Sequence, residues 1–535
     1  VLHAGDSLVS WNQRPGFREA KPADRADADF RRYTGQDLGV HPAVIPAPAK
    51  STSLPASFII TPDTRIVADP GIGATRLAAL LRRPTGFTLP LTPVSTGGTG
   101  GGTITLSLDG PPDLSQEGYL LDVDDSGVRL RAYTDEGLFR GTQTLRQLLP
   151  ADVERDEPGS GPWIIPGVRI EDRPRFAWRG IMLDVARHFF GVREVKRLID
   201  LVVPYKINVL HLHLTDDQGW RLAVDGWPRL ATYGGAGEVG GGSGGFYTKA
   251  DYTEIVRYAA ERYVMVVPEI DLPGHTNAAL ASYPELNTGG VAPERYTGIE
   301  VGFSSLSIGK ELTYRFVDQV LGEVAELTPG PYLHIGGDEA QATDPAEYAT
   351  FVQRVERIVR AHGKTMVGWQ EIGSAPLTPG NVVQHWRPKG AVPASKTREL
   401  VEAVRGGARL IMSPAQHTYL DLKYDPGSRL GQDWAGTVET RQSYEWDPVT
   451  LLDGVRESDV LGVEAALWTE TITSWNDIAH MTLPRLPGLA ERGWSPAAGR
   501  SWDEYASRLA AHAPRWAAAD LDFHRSPGVP WPVAE

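Results

Sequence analysis

Not one cysteine occurs in the 535 residues. That removes disulfides, thiolate nucleophiles and cysteine zinc sites together. It leaves the compartment open, because a large chain with a sizeable core holds together without disulfides. A cluster of Lys and Arg is also missing: 53 basic residues stand against 67 acidic ones, a formal net charge of −14. Nucleic-acid binding needs clustered basic groups to displace counterions, so no nucleic-acid partner is expected. The same acidity repels anionic membranes and polyanionic glycans, which favours a neutral substrate. No uncharged apolar run reaches the roughly 20 residues a membrane helix needs, so no membrane partner is expected either. Val1 to Gln13 carry neither the basic start nor the apolar stretch of a signal peptide. The chain does not begin with Met, and it reads as a processed form.

What is present is an ordinary globular composition, 22% charged and 41% hydrophobic, in a length that suits two or three domains. Residues 1–45 mix Asp, Arg, Ala and Pro without a period and read as a loosely ordered lead-in. Short strand-like runs follow at Ser57–Thr61, Arg65–Ala68, Thr103–Leu108, Gly118–Val123 and Gly127–Tyr133. Helices fit Ala74–Leu81 and Asp135–Leu149. This is a small α+β domain, assigned to 46–172. From 173 to 535 the pattern becomes strand, then helix, repeated. Eight apolar runs are Gly180–Val185, Val209–Leu214, Met265–Ile270, Tyr332–Gly336, Met366–Trp369, Val382–Trp386, Arg409–Met412 and Gly462–Trp468. The reading is α/β: a (β/α)8 TIM barrel with a C-terminal helix, preceded by the small α+β domain. An open doubly wound sheet is the alternative, but it predicts a Gly-rich phosphate turn after an early strand, and none is there. The glycine-rich stretch 234–245 lacks the Gly-Lys-Ser/Thr ending of a phosphate loop. It reads as a flexible loop over the barrel mouth.

Barrel enzymes carry their chemistry at the carboxyl ends of the strands. Those ends hold Asp184, Arg187 and His188; Asp216 and Asp217; Glu269, Asp271 and His275; Asp338 and Glu339; Trp369; Trp386; Tyr419 and Asp421; and Trp468 and Glu470. Carboxylates, indole faces and one Arg on one rim describe a sugar site: aromatic planes pack on pyranose C–H surfaces, and acids bond hydroxyls or move protons. An isolated Asp-Glu is more often a loop acid pair or a helix cap, and a lone Trp is more often core. Two glycines ahead of Asp338 and several Trp at successive strand ends shift that balance. His211-x-His213, on one face of a strand, supports a rival: a metal-dependent hydrolase completed by His275, His334 or His385. A catalytically silent sugar-binding barrel is a further alternative, disfavoured by the presence of both Asp338 and Glu339.

The motifs His334-Ile-Gly-Gly-Asp-Glu339, Met182-Leu-Asp-Val-Ala-Arg-His-Phe189, His211-Leu-His-Leu-Thr-Asp-Asp-Gln-Gly-Trp220, Pro268-Glu-Ile-Asp-Leu-Pro-Gly-His275 and Leu467-Trp-Thr-Glu470 resemble those of family 20 glycoside hydrolases. The likeness is strongest to Streptomyces-type β-N-acetylhexosaminidases and spans about residues 40–530. The resemblance implies a retaining exo-enzyme that releases terminal N-acetylglucosamine or N-acetylgalactosamine from chitin oligomers or other glycans. It implies secretion from a bacterial cell. The only partner expected is a small carbohydrate; no cofactor or metal is expected, and a monomer is one reading of the oligomeric state. Carried over by position, Glu339 resembles the general acid/base, Asp338 the residue that orients and stabilises the acetamido group, and Tyr419 the tyrosine that bonds the acetamido oxygen. Trp369, Trp386 and Trp468 resemble the pocket walls, with Trp434 joining them or shaping the next position. Arg187, Asp421 and Glu470 resemble the residues gripping hydroxyls. Asp216 and His275 resemble a buried pair that tunes Glu339, with Asp271 nearby.

Chemistry supports the assignment. Neighbouring residues on a strand face opposite ways, so a distorted strand end is needed for Asp338 and Glu339 to share a site. A tethered acetamido oxygen supplies the nucleophile with effective molarities on the order of 10⁵–10⁸ M. Glu339 must start protonated, and burial beside another acid is expected to raise its pKa.

Overall fold

The computed structural model describes residues 43–94, 101–391 and 393–532. The lead-in read over 1–45 therefore falls almost wholly outside the described residues. Two compact units are present: one of residues 178–200 and 208–481, the other of 43–177, 201–207 and 482–532.

The smaller unit is a mixed sheet of seven strands: β1 (Lys50–Ile60), β2 (Arg65–Ala68), β3 (Leu91–Thr92), β4 (Thr103–Ser107), β5 (Tyr119–Asp124), β6 (Gly127–Ala132) and β7 (Trp163–Asp172), in the order β1-β7-β5-β6-β4-β2-β3. Helices Ile72–Thr85 and Asp135–Leu148 place Leu77, Leu81, Leu138 and Leu145 in the core with Ile66, Ile104, Leu121 and Leu130 of the sheet. The second helix starts where Thr134 Oγ accepts the Gly137 N–H, a side-chain cap that satisfies one of the first-turn donors. Three features depart from the sequence reading. Strand β1 begins at Lys50, well ahead of Ser57, and β3 and β7 went unread. Pro166 lacks the N–H of a ladder residue and argues against a central strand. Yet β7 lies between β1 and β5, and the β1–β7 register breaks between Ser53 and Ser57, the latter opposite Pro166. The bulge absorbs the missing donor. Residues from Thr482 onward, read with the barrel, group with this smaller unit: Arg515 donates to the Gln147 carbonyl at 2.6 Å.

The larger unit is a closed parallel barrel of β8 (Trp178–Asp184), β9 (Val209–His213), β10 (Met265–Glu269), β11 (Tyr332–His334), β12 (Thr365–Trp369), β13 (Val382–His385), β14 (Arg409–Met412) and β15 (Val460–Leu467). All eight coincide with the apolar runs. Parallel strands covered on both sides read as near-continuous hydrophobic sequence. Helix Lys249–Ala260 starts on a capping box of Thr248 and Asp251. The interior is unusually polar for a barrel. In register around its carboxyl end stand Asp184, His213, Glu269 and His334 of β8, β9, β10 and β11. Glu464 lies inside as well, against Gly180, where any Cβ would collide with its carboxylate.

The glycine-rich stretch is pinned rather than loose. The buried Arg221 guanidinium donates to the carbonyls of Val185 (2.9 Å), Gly235 (2.9 Å), Gly237 (2.8 Å) and Gly245 (3.0 Å). A phosphate cradle turns backbone N–H groups inward. Here carbonyls converge on a cation, the opposite polarity.

Candidate active site

Strand β11 stops at His334, and the chain beyond it leaves strand geometry: Gly336 (φ 64°), Gly337 (φ 96°) and Glu339 (φ 47°) all take the left-handed region. Glycine does so at little cost; a glutamate does not. At Gly336 a Cβ would strike the Asp271 carboxylate, and Asp271 Oδ1 accepts the Gly337 N–H at 3.0 Å. This turn is the distortion that lets adjacent Asp338 and Glu339 face one centre. His275, also left-handed at φ 53°, sits between them, its Nε2 3.6 Å from Asp338 Oδ2 and 3.6 Å from Glu339 Oε2. Behind it, His275 Nδ1 meets Asp216 Oδ1 at 3.1 Å. Arg187 Nη1 lies 2.9 Å from Asp216 Oδ2, and its guanidinium carbon lies 4.8 Å from the Trp468 ring centre.

The aromatic walls come from four strand ends. Trp369 closes β12 and donates its indole N–H to Glu269 Oε1 at 2.8 Å. Trp468 lies 5.7 Å from it, ring centre to ring centre. Trp386 follows β13 and stacks at 12° on Tyr419, 6.3 Å away. Trp434 stands edge-on to both Trp386 and Tyr419 at 5.9 Å and is 51% exposed; it forms the open lip of this box. On the same rim Asp421 is buried and Glu470 half-buried. Several buried polar atoms here have no hydrogen-bond partner: Arg187 Nε, His275 Nε2, Asp338 Oδ1 and Glu470 Oε2. Orphaned buried donors and acceptors cost free energy. Their gathering at one rim marks a place where a polar ligand completes them.

Charge is distributed unevenly. Burial pushes the Asp338 carboxyl up to about 7; the His275 cation pulls against this, while Glu371 and Glu339 add to it. Burial also works to raise Glu339, but the His275 cation, with Arg387 and Arg187, holds it below the usual range. The sequence-based expectation of a raised Glu339 is therefore corrected. The reason is the imidazolium 3.6 Å away, which sequence spacing does not show. Burial and the neighbouring Asp421 charge keep the Tyr419 hydroxyl protonated, as a donor.

Sequence reasoning missed Glu371 and Arg387. Glu371 accepts from Trp386 Nε1 at 3.1 Å and pairs with Arg387 at 2.7 Å, and the Arg387 guanidinium carbon lies 4.3 Å from the Trp386 ring centre. Their signal was position: two residues past Trp369 and one past Trp386. Asp271 meets the Gly337 backbone, so its contact here is to the turn that carries Asp338 and Glu339. A surface cleft of about 280 Å³ lined by Val404, Arg405, Gly454, Arg456 and Asp459 lies by the amino ends of β14 and β15, on the opposite face.

His211 and His213 answer the metal reading. His211 has Glu464 Oε1 2.8 Å from Nδ1 and Glu269 Oε2 2.9 Å from Nε2. His213 has Glu269 Oε2 2.7 Å from Nδ1 and Asp216 Oδ2 2.8 Å from Nε2. Carboxylates beside both nitrogens favour the doubly protonated ring, which has no lone pair to offer a cation. Both His213 nitrogens are hydrogen-bonded, and His211 is hydrogen-bonded through Nδ1, its Nε2 meeting Glu269 as an ion pair. Of the other rings named for that reading, His385 meets Gln370 Oε1 at 2.7 Å, and His334 Nδ1 accepts the Gly336 N–H. Burial works against the charged His211, but Glu464 and Glu269 outweigh it and raise the ring to about 9. A raised folded-state pKa gives stability that is fully present below the unfolded value of about 6.5 and disappears as pH rises through the folded value. The apparent melting temperature is therefore expected to fall as pH rises from 6.5 to beyond about 9, and to fall less in His211→Gln. A flat wild-type profile across that window would show the ring to be neutral.

Known proteins resemble this chain in sequence and fold. Residues 176–497 match glycosyl hydrolase family 20, catalytic domain, and residues 41–173 match glycosyl hydrolase family 20, domain 2. A β-N-acetylhexosaminidase of Cellulomonas fimi is 44% identical over 499 residues, covering 92% of this chain and 97% of the relative. The structure of the GH20 β-N-acetylhexosaminidase from Streptomyces coelicolor A3(2) superposes with a TM-score of 0.89 at 55% identity, covering 92% of this chain and 99% of that one. A mutant Streptomyces plicatus β-hexosaminidase in complex with its product GlcNAc superposes equally well, at 0.89 and 55%, covering 92% of this chain and 98% of that one.

Proposed function

This chain belongs to glycosyl hydrolase family 20, and from that premise we infer that its rim removes a terminal β-linked N-acetylhexosamine by retaining, substrate-assisted hydrolysis. The observation that carries the reading is the unwound end of β11, which turns two adjacent carboxylates into one aromatic-walled site around His275.

The terminal sugar lies among Trp369, Trp386 and Trp468, with Trp434 at the lip. Arg187, Asp421 and Glu470 take its hydroxyls. The acetamido oxygen, held by the Tyr419 hydroxyl, attacks the anomeric carbon while Glu339 protonates the departing glycosidic oxygen. Attack of that oxygen gives an oxazolinium ion and a free aglycone. Asp338 Oδ1, buried and without a partner, receives the amide N–H and balances the charge that grows on nitrogen. Glu339, now a carboxylate, takes a proton from water as the water opens the ring, and the configuration is retained overall. Binding of the amide favours ionised Asp338, which leaves Glu339 to hold the proton that the coupled pair shares. His275, 3.6 Å from both, lies between them.

A neutral chain ending in N-acetylglucosamine or N-acetylgalactosamine suits a protein of net charge −14. Action on chitin oligomers and export from a bacterial cell belong to the same proposal and rest on the family resemblance. The direct test is hydrolysis of 4-nitrophenyl N-acetyl-β-glucosaminide beside the plain 4-nitrophenyl β-glucoside. The first is expected to turn over, the second to be nearly inert. Comparable rates on both would remove the acetamido group from the mechanism.

A further inference from the structure

His275 is fixed by Asp216, and Asp216 is itself fixed from within the barrel. Its Oδ2 lies 2.8 Å from His213 Nε2 and 2.9 Å from Arg187 Nη1. Its Oδ1 faces His275 and accepts the Asp217 N–H at 2.6 Å. His213 Nδ1 lies 2.7 Å from Glu269 Oε2, which also lies 2.9 Å from His211 Nε2. His211 Nδ1 lies 2.8 Å from Glu464 Oε1, and the Glu464 carboxylate accepts from Trp178 Nε1 and Gln384 Nε2. Acid and imidazole thus alternate from Glu464 through His211, Glu269, His213 and Asp216 to His275, ending 3.6 Å from Glu339. Every link is a hydrogen bond except His211 Nε2 to Glu269, a close ion pair without hydrogen-bond geometry. Every member from Glu464 to His275 is buried.

Such a core is not what stability alone selects. Barrel interiors are ordinarily filled by layers of Val, Ile and Leu. Replacing a buried ion pair by apolar side chains of similar volume is often neutral or stabilising. The chain of groups also has a direction: its inner end is closed by neutral donors, and its outer end delivers a cation to the two reacting carboxylates. His213 is the link that matters most. It is charged by the two acids that flank it, and it spans the distance between Glu269 and Asp216 with one rigid ring. Around it also stand Arg187, on the same Asp216 oxygen, the buried Asp271 carboxylate, and Trp468, whose ring meets it edge-on at 4.8 Å.

We propose that His213 and Glu269 are positioning residues for proton transfer at Glu339: they lock Asp216 in the orientation that keeps His275 against Glu339, without touching the sugar. The proposal rests on the acid/base role of Glu339 inferred above. If it holds, damage at His213 is felt in protonation of the leaving group and hardly in binding.

The test compares phenyl and 2,4-dinitrophenyl N-acetyl-β-glucosaminide, the first needing protonation to depart and the second scarcely. For His213→Gln, which has an amide donor for one acid but neither the second donor nor the charge, kcat on the phenyl glycoside is expected to fall about 10–100-fold, with less than about a threefold change on the dinitrophenyl glycoside. KM and the Kd for a cyclic thiazoline analogue of the sugar, which needs no proton donor, are expected to stay within about twofold. Glu269→Gln, whose amide oxygen still accepts from Trp369, should show the same split. A merely structural part lowers the amount of working enzyme and reduces both substrates alike. Equal losses on the two leaving groups, in whichever of the two variants folds, overturn the proposal; so does failure of both to fold, which would assign the buried chain of groups to stability alone. Wild-type protein inert to both glycosides would instead overturn the functional reading beneath it.

Discussion

Replacing Asp338 by Asn is expected to lower kcat on 4-nitrophenyl N-acetyl-β-glucosaminide by on the order of 10²–10³-fold, the loss typical of removing one preorganised electrostatic partner of a transition state. The side chain keeps its size, and Tyr419 still holds the acetamido oxygen. What disappears is the negative charge opposite the nitrogen on which oxazolinium charge develops. That charge grows only along the reaction coordinate, so the loss belongs in kcat more than in KM. Burial magnifies it, because Asp338 is shielded from water and a full charge there acts through a low dielectric. Successive fluorination of the N-acetyl methyl should slow the wild-type enzyme step by step, since it drains electron density from the attacking oxygen. The thiazoline analogue, a mimic of the cyclic intermediate, should bind wild type far more tightly than product does, and lose most of that advantage in Asp338→Asn. Trapping a sugar ester on any Asp or Glu, with rates indifferent to fluorination, would replace the whole scheme with an ordinary enzyme nucleophile.

How far the sequence reaches in this protein follows from what each residue does to its neighbours in the chain. The eight barrel strands were legible because a doubly covered strand writes itself as an apolar run. The rim was legible because chemistry at strand ends needs no knowledge of distant contacts. Strand β7 was hidden by Pro166, whose acceptance depends on a bulge in β1 more than a hundred residues away in the chain. Glu464 was hidden inside an apolar run; only the missing Cβ of Gly180 makes room for it. Glu371 and Arg387 look like an ordinary loop ion pair until β12 and β13 bring them onto Trp386. The protonation pattern lay furthest from the sequence. Two adjacent acids announce coupled titration, but which one takes the proton depends on where His275 lies, and it comes from the loop after β10. Arg221 gives the reverse lesson: a glycine-rich segment that suggested looseness is organised around one buried guanidinium.

Replacing Glu339 by Gln is expected to lower kcat on glycosides with poor leaving groups by roughly 10²–10⁴-fold, the range for a general acid. The amide fills the same space at the end of the β11 turn but its N–H protons are far too weakly acidic to transfer, so the aglycone must depart as an alkoxide. With 2,4-dinitrophenol as aglycone the departing oxygen is already stable as an anion. The first step should then survive with a much smaller loss, and the second step should become limiting, because the substituted amide cannot take the proton from attacking water. An added nucleophile such as azide needs no deprotonation. It should restore turnover of the dinitrophenyl substrate and give the β-azide of the sugar, the stereochemistry that ring-opening of an oxazolinium ion dictates. The pH profile provides a second reading. The His275 cation, with the Arg387 and Arg187 guanidiniums, lowers Glu339 in the free protein, so the loss of kcat/KM toward high pH in wild type reports the proton of the Asp338–Glu339 pair as a unit. That limb should vanish from Glu339→Gln measured on the dinitrophenyl substrate, since no proton donation remains to be lost. Equal, small effects on good and poor leaving groups, or an α-azide product, would take Glu339 out of the acid role and leave the unwound turn of β11 without its assigned chemistry.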